Sequence, residues 1–245
     1  MRPTCRPCWW PKNGCTPGSP ASRPLRALEP PPSPGATMPP ADRHWVLMRH
    51  GESEANAGNW LAGQVDTPLT PRGRAQADAA GAALADLDIG LVVSSDLQRA
   101  RDTARRAMAA RAALRGEPPL PVEEHGALRE RHAGEWAGRD RTELRARGEL
   151  VRLTTWRQAP PGGESQAAMA ARILPCMVEL ERRSVDGAVL VVCHGGVIRI
   201  LLGLLDGRPL DDIGFFGVPN ARPIHRHLSA KRFASLLDAR VDDLW

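Results

Sequence analysis

Short apolar runs alternate with longer helical patterns along most of this chain. The apolar runs predict strands of a sheet that is buried on both faces, at 45–48, 91–94 and 188–193. Apolar residues at helical spacing predict helices at 96–114, 165–183 and 197–205. Thr70 is suited to cap a further helix that runs to Leu87. This alternation favours a three-layer α/β/α sandwich around a mostly parallel central sheet.

The first 41 residues differ in composition from the rest of the 245-residue chain. Twelve of the 23 prolines fall within 1–40, and such a segment cannot bury enough apolar surface to offset its chain entropy. We therefore expect a disordered Pro-rich tail over 1–41 and one domain over 42–245. Met38 lies just before the regular pattern and offers an alternative start of translation. Cys5 and Cys8 form a CxxC motif, but no second ligand pair follows at zinc spacing.

The charge of the chain lies mostly in this tail. Residues 1–41 contribute +4 to the formal net charge of +5, which leaves +1 for 42–245. A near-neutral body does not indicate a nucleic-acid partner. No apolar run reaches the ~18 residues of a membrane helix, and no signal-peptide core follows the basic start. We expect a cytoplasmic protein with no membrane partner, and a homodimer remains open.

Polar residues cluster where three of the predicted strands end. Arg49-His50-Gly51 follows the first strand, and His194-Gly195-Gly196 follows the last apolar strand and precedes a helix. Ser94-Ser95-Asp96 ends another strand, with Arg99 one turn into its helix. Open α/β sheets bind ligands at the carboxyl ends of their strands, and glycines let backbone N–H groups approach an anion. Two histidines and forked arginine donors at this edge indicate a receptor for a phosphoryl group.

The same residues, in this order, resemble the histidine phosphatase superfamily, also called the phosphoglycerate mutase-like family. The resemblance extends over about 44–228, and it rests on a set of ordered motifs: Arg49-His50-Gly51 with Asn56, Asp66 to Thr70 with Gly73 and Gln76, Ser94 to Ala100 with Thr103, Leu128 to His132, Gly163-Glu164-Ser165 and His194-Gly195. It implies a phosphoglycerate mutase-like fold and a phosphomonoester hydrolase that acts on a small phosphorylated metabolite.

The resemblance also implies a role for each motif residue. His50 would attack phosphorus and form a phosphohistidine, and Glu130 would protonate the leaving oxygen and later activate water. The phosphoryl oxygens would be bound by Arg49, Asn56, Arg99 and His194. No metal and no other cofactor is implied. Repulsion from the arginines is expected to keep His50 unprotonated, whereas the balance of burial and arginine charge at Glu130 stays open.

Mutase and phosphatase activities both occur in this family. Glu130-Arg131-His132 resembles the mutase pattern. Only 64 positions separate Glu130 from His194, however, so the basic insertion of mutases is absent. Ala62 and the Gly134–Gly138 segment are also closer to the phosphatase pattern. We therefore favour a phosphatase, with a cofactor-dependent phosphoglycerate mutase as the alternative. An inactive phospho-ligand binding module is disfavoured, since every core position is filled.

The sequence also predicts the surroundings of two tryptophans and two cysteines. Trp60 and Trp136 either line the leaving-group pocket or pack in the interior. Cys176 and Cys193 lie in apolar helical and strand patterns, which predict buried free thiols.

Overall fold

A computed structural model describes residues 42–213 and 216–239, and the predicted tail, with Met38, Cys5 and Cys8, lies outside the described residues. The central sheet has five strands, in the order β3-β2-β4-β1-β5. All neighbouring strands are parallel except β1 and β5, which confirms the mostly parallel sheet. The strands are β1 (Arg43–Arg49), β2 (Ile89–Ser95), β3 (Glu123–His125), β4 (Ala188–Cys193) and β5 (Pro223–Leu228).

Helices connect the strands, and side chains cap the first turn of some of them. Thr70 accepts a hydrogen bond from the N–H of Gly73, and Ser165 accepts one from the N–H of Ala168. The helices are α1 (Glu54–Ala57), α2 (Pro71–Ala83), α3 (Gln98–Arg115), α4 (Arg141–Ala146), α5 (Gln166–Arg182), α6 (Gly195–Leu205) and α7 (Arg232–Ala239). Each predicted helix is present, with its ends shifted by a few residues.

The largest shift is at the end of α2, which stops at Ala83 and not at Leu87. The guanidinium group of Arg111 on α3 donates to the carbonyls of Leu84 and Leu87, at 3.2 and 2.7 Å. These bonds satisfy carbonyls that a longer helix would pair internally, and they let the chain turn into β2.

The core lies on both faces of the sheet. Every residue of β4 is buried, with alternate side chains in two separate apolar clusters. One cluster contains residues of α5 and α6, and the other contains residues of α2 and α3, which confirms the three-layer arrangement. Cys176 and Cys193 are buried and free, as predicted. No helix in the described part of the chain is long and apolar enough to span a membrane.

A third, small apolar cluster supports the irregular chain between β3 and α5. It joins Leu61 to residues of this segment, and its members are Leu61, Ala133, Trp136, Leu144 and Leu153. Trp136 is buried in this cluster, so it packs and does not line the cavity described below.

Candidate active site

His50 directly follows β1 and is buried, with 4% of its surface exposed. Its Nδ1 lies 2.7 Å from the carbonyl oxygen of Gly51. A carbonyl oxygen only accepts hydrogen bonds, so Nδ1 carries the proton and Nε2 keeps a lone pair. Burial lowers the pKa of His50 well below its ordinary value, and the charges of His194, Arg99 and Arg49 lower it further. The ring is neutral at neutral pH, mainly because of burial and only secondarily because of the arginines.

His194 follows β4 and is completely buried beside His50. The two strands are parallel neighbours, and the ring centroids of the histidines are 5.2 Å apart. Nε2 of His194 lies 2.9 Å from Oγ of Ser95, at the end of β2. Burial, followed by the charges of Arg99 and Arg49, lowers the pKa of His194 well below its ordinary value. The site therefore holds two neutral imidazoles.

Arg49 and Arg99 are fixed by backbone carbonyls. Nη1 of Arg49 donates to the carbonyl of Val218 at 2.8 Å. The terminal nitrogens of Arg99 donate to the carbonyls of Gly63 and Val65 at 2.7 and 3.0 Å. Burial lowers the pKa of Arg49 to about 10, so this guanidinium stays charged at neutral pH. Both groups are therefore preorganised cations, as the binding of a phosphoryl group requires.

Asn56 is oriented by bonds to its side-chain oxygen. Oδ1 accepts from the N–H of Ser53 at 3.3 Å and from Nδ2 of Asn220 at 3.4 Å. The amide nitrogen of Asn56 is thereby left as the donor toward the cavity. Asn220 also donates to the carbonyl of His50 at 2.8 Å, so one side chain ties together two parts of the site.

Glu130 is held by two backbone N–H groups. Its Oε1 accepts from Arg131 at 2.9 Å, and its Oε2 accepts from Gly196 at 3.1 Å. A Cβ at position 196 would meet Oε1, so the carboxylate would have to shift from this position if residue 196 had a side chain. Burial raises the pKa of Glu130, but the charge of Arg199, these two hydrogen bonds and the charge of Arg131 outweigh it and lower the pKa to about 2. The carboxyl group is ionised at neutral pH.

The segment that carries Glu130 is irregular and is fixed from α5. Arg172 donates to the carbonyls of Ala127, Arg129 and Glu130 at 2.6–3.1 Å. Its guanidinium also forms an ion pair with Glu164, at 2.8 Å. Rigid backbone support of this kind keeps the carboxylate in place without a helix or strand beneath it.

These groups surround one cavity. Four of the six predicted site residues line it: Arg49, Asn56, Arg99 and Glu130. The other two, His50 and His194, are buried, and each lies within two residues of a lining residue. Trp60 also lines the cavity. No group of three His, Cys, Asp or Glu side chains among the described residues is arranged to hold a metal ion.

Sequence reasoning missed three arginines that also line the cavity, Arg131, Arg141 and Arg199. The lining therefore carries five guanidinium groups against the single carboxylate of Glu130. The charge of Arg199 lowers the pKa of both Arg131 and Arg141, after burial as the first cause, so the three groups act on one another. Arg199 lies one turn into the helix after His194, a spacing that could have identified it.

Comparison with known proteins gives one consistent result. A family model described as the histidine phosphatase superfamily, branch 1, matches residues 45–236. A glucosyl-3-phosphoglycerate phosphatase of Mycolicibacterium vanbaalenii is 42% identical over 181 residues, which are 69% of this chain and 77% of that protein. A 2,3-bisphosphoglycerate-dependent phosphoglycerate mutase of Methylobacterium radiotolerans is 39% identical over 82% of this chain and 98% of its own length.

The chain is also similar to solved structures of the same kind of protein. The structure of a mycobacterial glucosyl-3-phosphoglycerate phosphatase complexed with VO3 has a TM-score of 0.65 and 33% sequence identity. The match covers 77% of this chain and 99% of that chain.

Proposed function

Because the chain belongs to the histidine phosphatase superfamily, branch 1, we propose that it hydrolyses phosphomonoesters of a small metabolite through phospho-His50. The observation that carries this proposal is the pair of neutral, buried imidazoles beside two fixed guanidinium groups. His50 offers an unprotonated Nε2, which is the atom that a phosphoryl acceptor needs. This chemistry needs no metal, since arginines supply the positive charge.

In the first step, Nε2 of His50 attacks phosphorus while the bond from phosphorus to the leaving oxygen breaks. Arg49, Arg99, Asn56 and His194 donate to the phosphoryl oxygens as their charge grows. Glu130 takes up the proton that a monoanionic phosphate ester brings and gives it to the leaving oxygen. In the second step, Glu130 takes a proton from water, whose oxygen attacks the phosphohistidine and releases inorganic phosphate and free His50.

The charge of the cavity points to the class of substrate. The cavity lining has five guanidinium groups and one carboxylate, which is an excess of four positive charges. A phosphate dianion neutralises only part of this excess. Arg131, Arg141 and Arg199 therefore favour a substrate with a second anionic group, and a carboxylate matches their forked donors. The relative from Mycolicibacterium vanbaalenii is named for a substrate that is both a phosphate ester and a glycerate. A phosphorylated carboxylic acid, free or glycosylated, is the substrate class proposed for this chain.

A phosphoglycerate mutase is the second candidate. The relative that favours it matches over 98% of its own length, and its named substrate class also carries a carboxylate. In a mutase, the phosphohistidine would be transferred to a second hydroxyl group of the substrate and not to water. Ala62 lines the cavity, at the position where the mutase pattern has a hydroxyl side chain, which favours the phosphatase.

We further place the activity in the cytoplasm. The two described cysteines, Cys176 and Cys193, are free and buried, as expected in a reducing compartment.

A panel of matched phosphate esters tests the proposal. We expect kcat/KM to be at least about tenfold higher for 3-phosphoglycerate and glucosyl-3-phosphoglycerate than for glycerol 3-phosphate, because one charge-assisted hydrogen bond contributes about 1.5–3 kcal/mol. Phosphate release should exceed isomerisation of 3-phosphoglycerate even after priming with bisphosphoglycerate. Isomerisation that outruns release would instead identify a mutase.

The matched control for this panel is His50→Ala. The wild-type protein, quenched during turnover, should carry an acid-labile, base-stable phosphoryl group, and the variant should carry none and release no phosphate. Turnover by His50→Ala would refute the phosphohistidine mechanism.

A further inference from the structure

Ser95 ends β2 and is completely buried beside His194. Its hydroxyl oxygen has two partners among the described residues. It accepts the backbone N–H of Leu97 at 3.3 Å, and it lies 2.9 Å from Nε2 of His194. The other ring nitrogen of His194, Nδ1, is buried and has no hydrogen-bond partner among the described residues.

These contacts distinguish the two tautomers of a neutral His194. If Nε2 carried the proton, Ser95 would accept two hydrogen bonds, and its own O–H would be buried with no acceptor among the described residues. If Nδ1 carries the proton, Ser95 accepts from Leu97 and donates to Nε2, and the one donor left open is the N–H at Nδ1, which a phosphoryl oxygen can accept. The opposite tautomer leaves both the Ser95 O–H and the lone pair of Nδ1 without partners, and it still leaves the O–H open when phosphate is bound. An unsatisfied buried donor costs about 1–3 kcal/mol, which favours the proton on Nδ1.

We propose that Ser95 is a positioning residue that holds neutral His194 with its proton on Nδ1, so that this N–H donates to an oxygen of the phosphoryl group. The inference rests on the proposed phosphatase function for its role, but the tautomer itself can be observed without turnover. In the opposite tautomer a ring lone pair would face the phosphoryl oxygens and repel them. The hydroxyl of Ser95 therefore decides whether His194 attracts or repels the substrate.

Different partners would then determine which ring nitrogen carries the proton in each of the two histidines. The carbonyl of Gly51 places the proton of His50 on Nδ1 and frees Nε2 as the nucleophile. The hydroxyl of Ser95 leaves His194 with a free N–H. One ring supplies a lone pair to phosphorus and the other supplies a donor to oxygen, although neither is charged.

Long-range ¹H–¹⁵N correlation spectra of the histidine rings test the tautomer directly. In the full-length wild-type protein, the signals of His194, identified by their loss in His194→Gln, should show a protonated Nδ1 and an unprotonated Nε2. Addition of inorganic phosphate should shift the Nδ1 resonance. A proton on Nε2, or on both nitrogens, would overturn the proposal.

Kinetics of Ser95→Ala give the second measurement. We expect kcat for p-nitrophenyl phosphate to fall about 10-fold to 100-fold, less than the 10²–10³-fold expected for loss of a whole oxyanion donor. The Nε2 resonance should report a changed or mixed tautomer in this variant. Ser95→Thr keeps the hydroxyl and should restore the wild-type tautomer and most of the rate.

Ser94→Ala is the matched control. Ser94 is equally buried on the same strand, but its hydroxyl donates to the backbone carbonyl of Ser95 at 2.9 Å and does not contact His194. Its kcat and tautomer should be unchanged within about twofold. Unchanged rate and tautomer in Ser95→Ala would refute the role of Ser95. A wild-type protein with the Nδ1 tautomer but no hydrolysis of any ester would refute the proposed function alone.

Discussion

Glu130 is ionised in the free protein, whereas its proposed role is that of a proton donor. Its pKa is lowered to about 2, so it is a carboxylate in the free protein. A carboxylate has no proton to give to a leaving oxygen. A substrate that binds as a phosphate monoanion brings that proton with it, and the negative charge of the phosphate offsets the arginine charges that hold the pKa of Glu130 low. The reactive complex therefore holds one proton, shared between substrate and Glu130.

This argument predicts the pH dependence of the reaction. For glycerol 3-phosphate, kcat/KM should fall about tenfold per pH unit above the second pKa of the phosphate, near about 6. The rate falls as pH rises because the substrate loses its proton. Glu130 cannot replace that proton, since its lowered pKa leaves it ionised over this pH range. Initial rates between about pH 5 and about pH 8.5 measure the profile. A profile that is flat to about pH 8 would contradict the shared proton.

Glu130→Gln is the control for this prediction. It keeps the shape of the side chain but cannot transfer a proton, so the first step should slow by about 10²–10⁴ on glycerol 3-phosphate. The loss should be far smaller on p-nitrophenyl phosphate, whose leaving phenolate needs little protonation. Equal losses on both substrates in single-turnover experiments would make Glu130 a positioning residue.

At the scale of elements, α2 and α3 pack closely through small residues. Ala80 and Gly81 on α2 are buried with Ala104 and Ala107 on α3. A Cβ at position 81 would clash with the backbone carbonyl oxygen of Ala107. The close contact therefore depends on glycine, even though glycine weakens an isolated helix.

Gly81→Ala is accordingly expected to destabilise the protein. The gain in helix propensity is about 1 kcal/mol, but the clash forces the two helices apart and costs about 1–3 kcal/mol or more. We expect Tm to fall by several degrees in thermal unfolding. The exposed neighbour offers a control, since Ala82→Gly should cost only the propensity of about 1 kcal/mol. A rise in the Tm of Gly81→Ala would show that α2 and α3 have room for a methyl group.

At the scale of the whole molecule, net charge gives no indication of the site. Residues 42–245 carry a formal charge of only +1, yet five guanidinium groups converge on one cavity. Carboxylates outside the cavity balance the total, and charges separated by more than about 10 Å across solvent are largely screened from one another. Attraction of an anionic substrate therefore depends on where the arginines meet and not on how many the chain contains.

The proposed domain boundary gives the last prediction. Every residue of the cavity and of the three apolar clusters lies within 42–239. A protein that begins at Met38 should therefore match the full chain in Tm and in kcat/KM. The two proteins are compared by thermal unfolding and by phosphate release. A loss of more than about tenfold in rate would show that residues 1–37 contribute to the site.

The sequence by itself determined three of the five described strands (β1, β2 and β4), four of the seven described helices to within a few residues, and the meeting of His50 with His194. Periodicity and caps such as Thr70 are local signals. They can be recognised in the sequence because each depends on neighbours only a few residues away. The two histidines follow strands of one parallel sheet, so their carboxyl ends had to share an edge. The ordered motifs added Arg49, Asn56, Arg99 and Glu130.

Only the tertiary structure decided the charge and protonation of the site. Arg131, Arg141 and Arg199 come from an irregular segment, from α4 and from α6, and no periodicity fixes the path that brings them together. The pKa of Glu130 depends on a balance between burial and these charges, which sequence spacing cannot supply. The convergence of the arginines and the pKa of Glu130 both depend on distances between segments that are remote along the chain. Only the packing of the folded chain sets those distances.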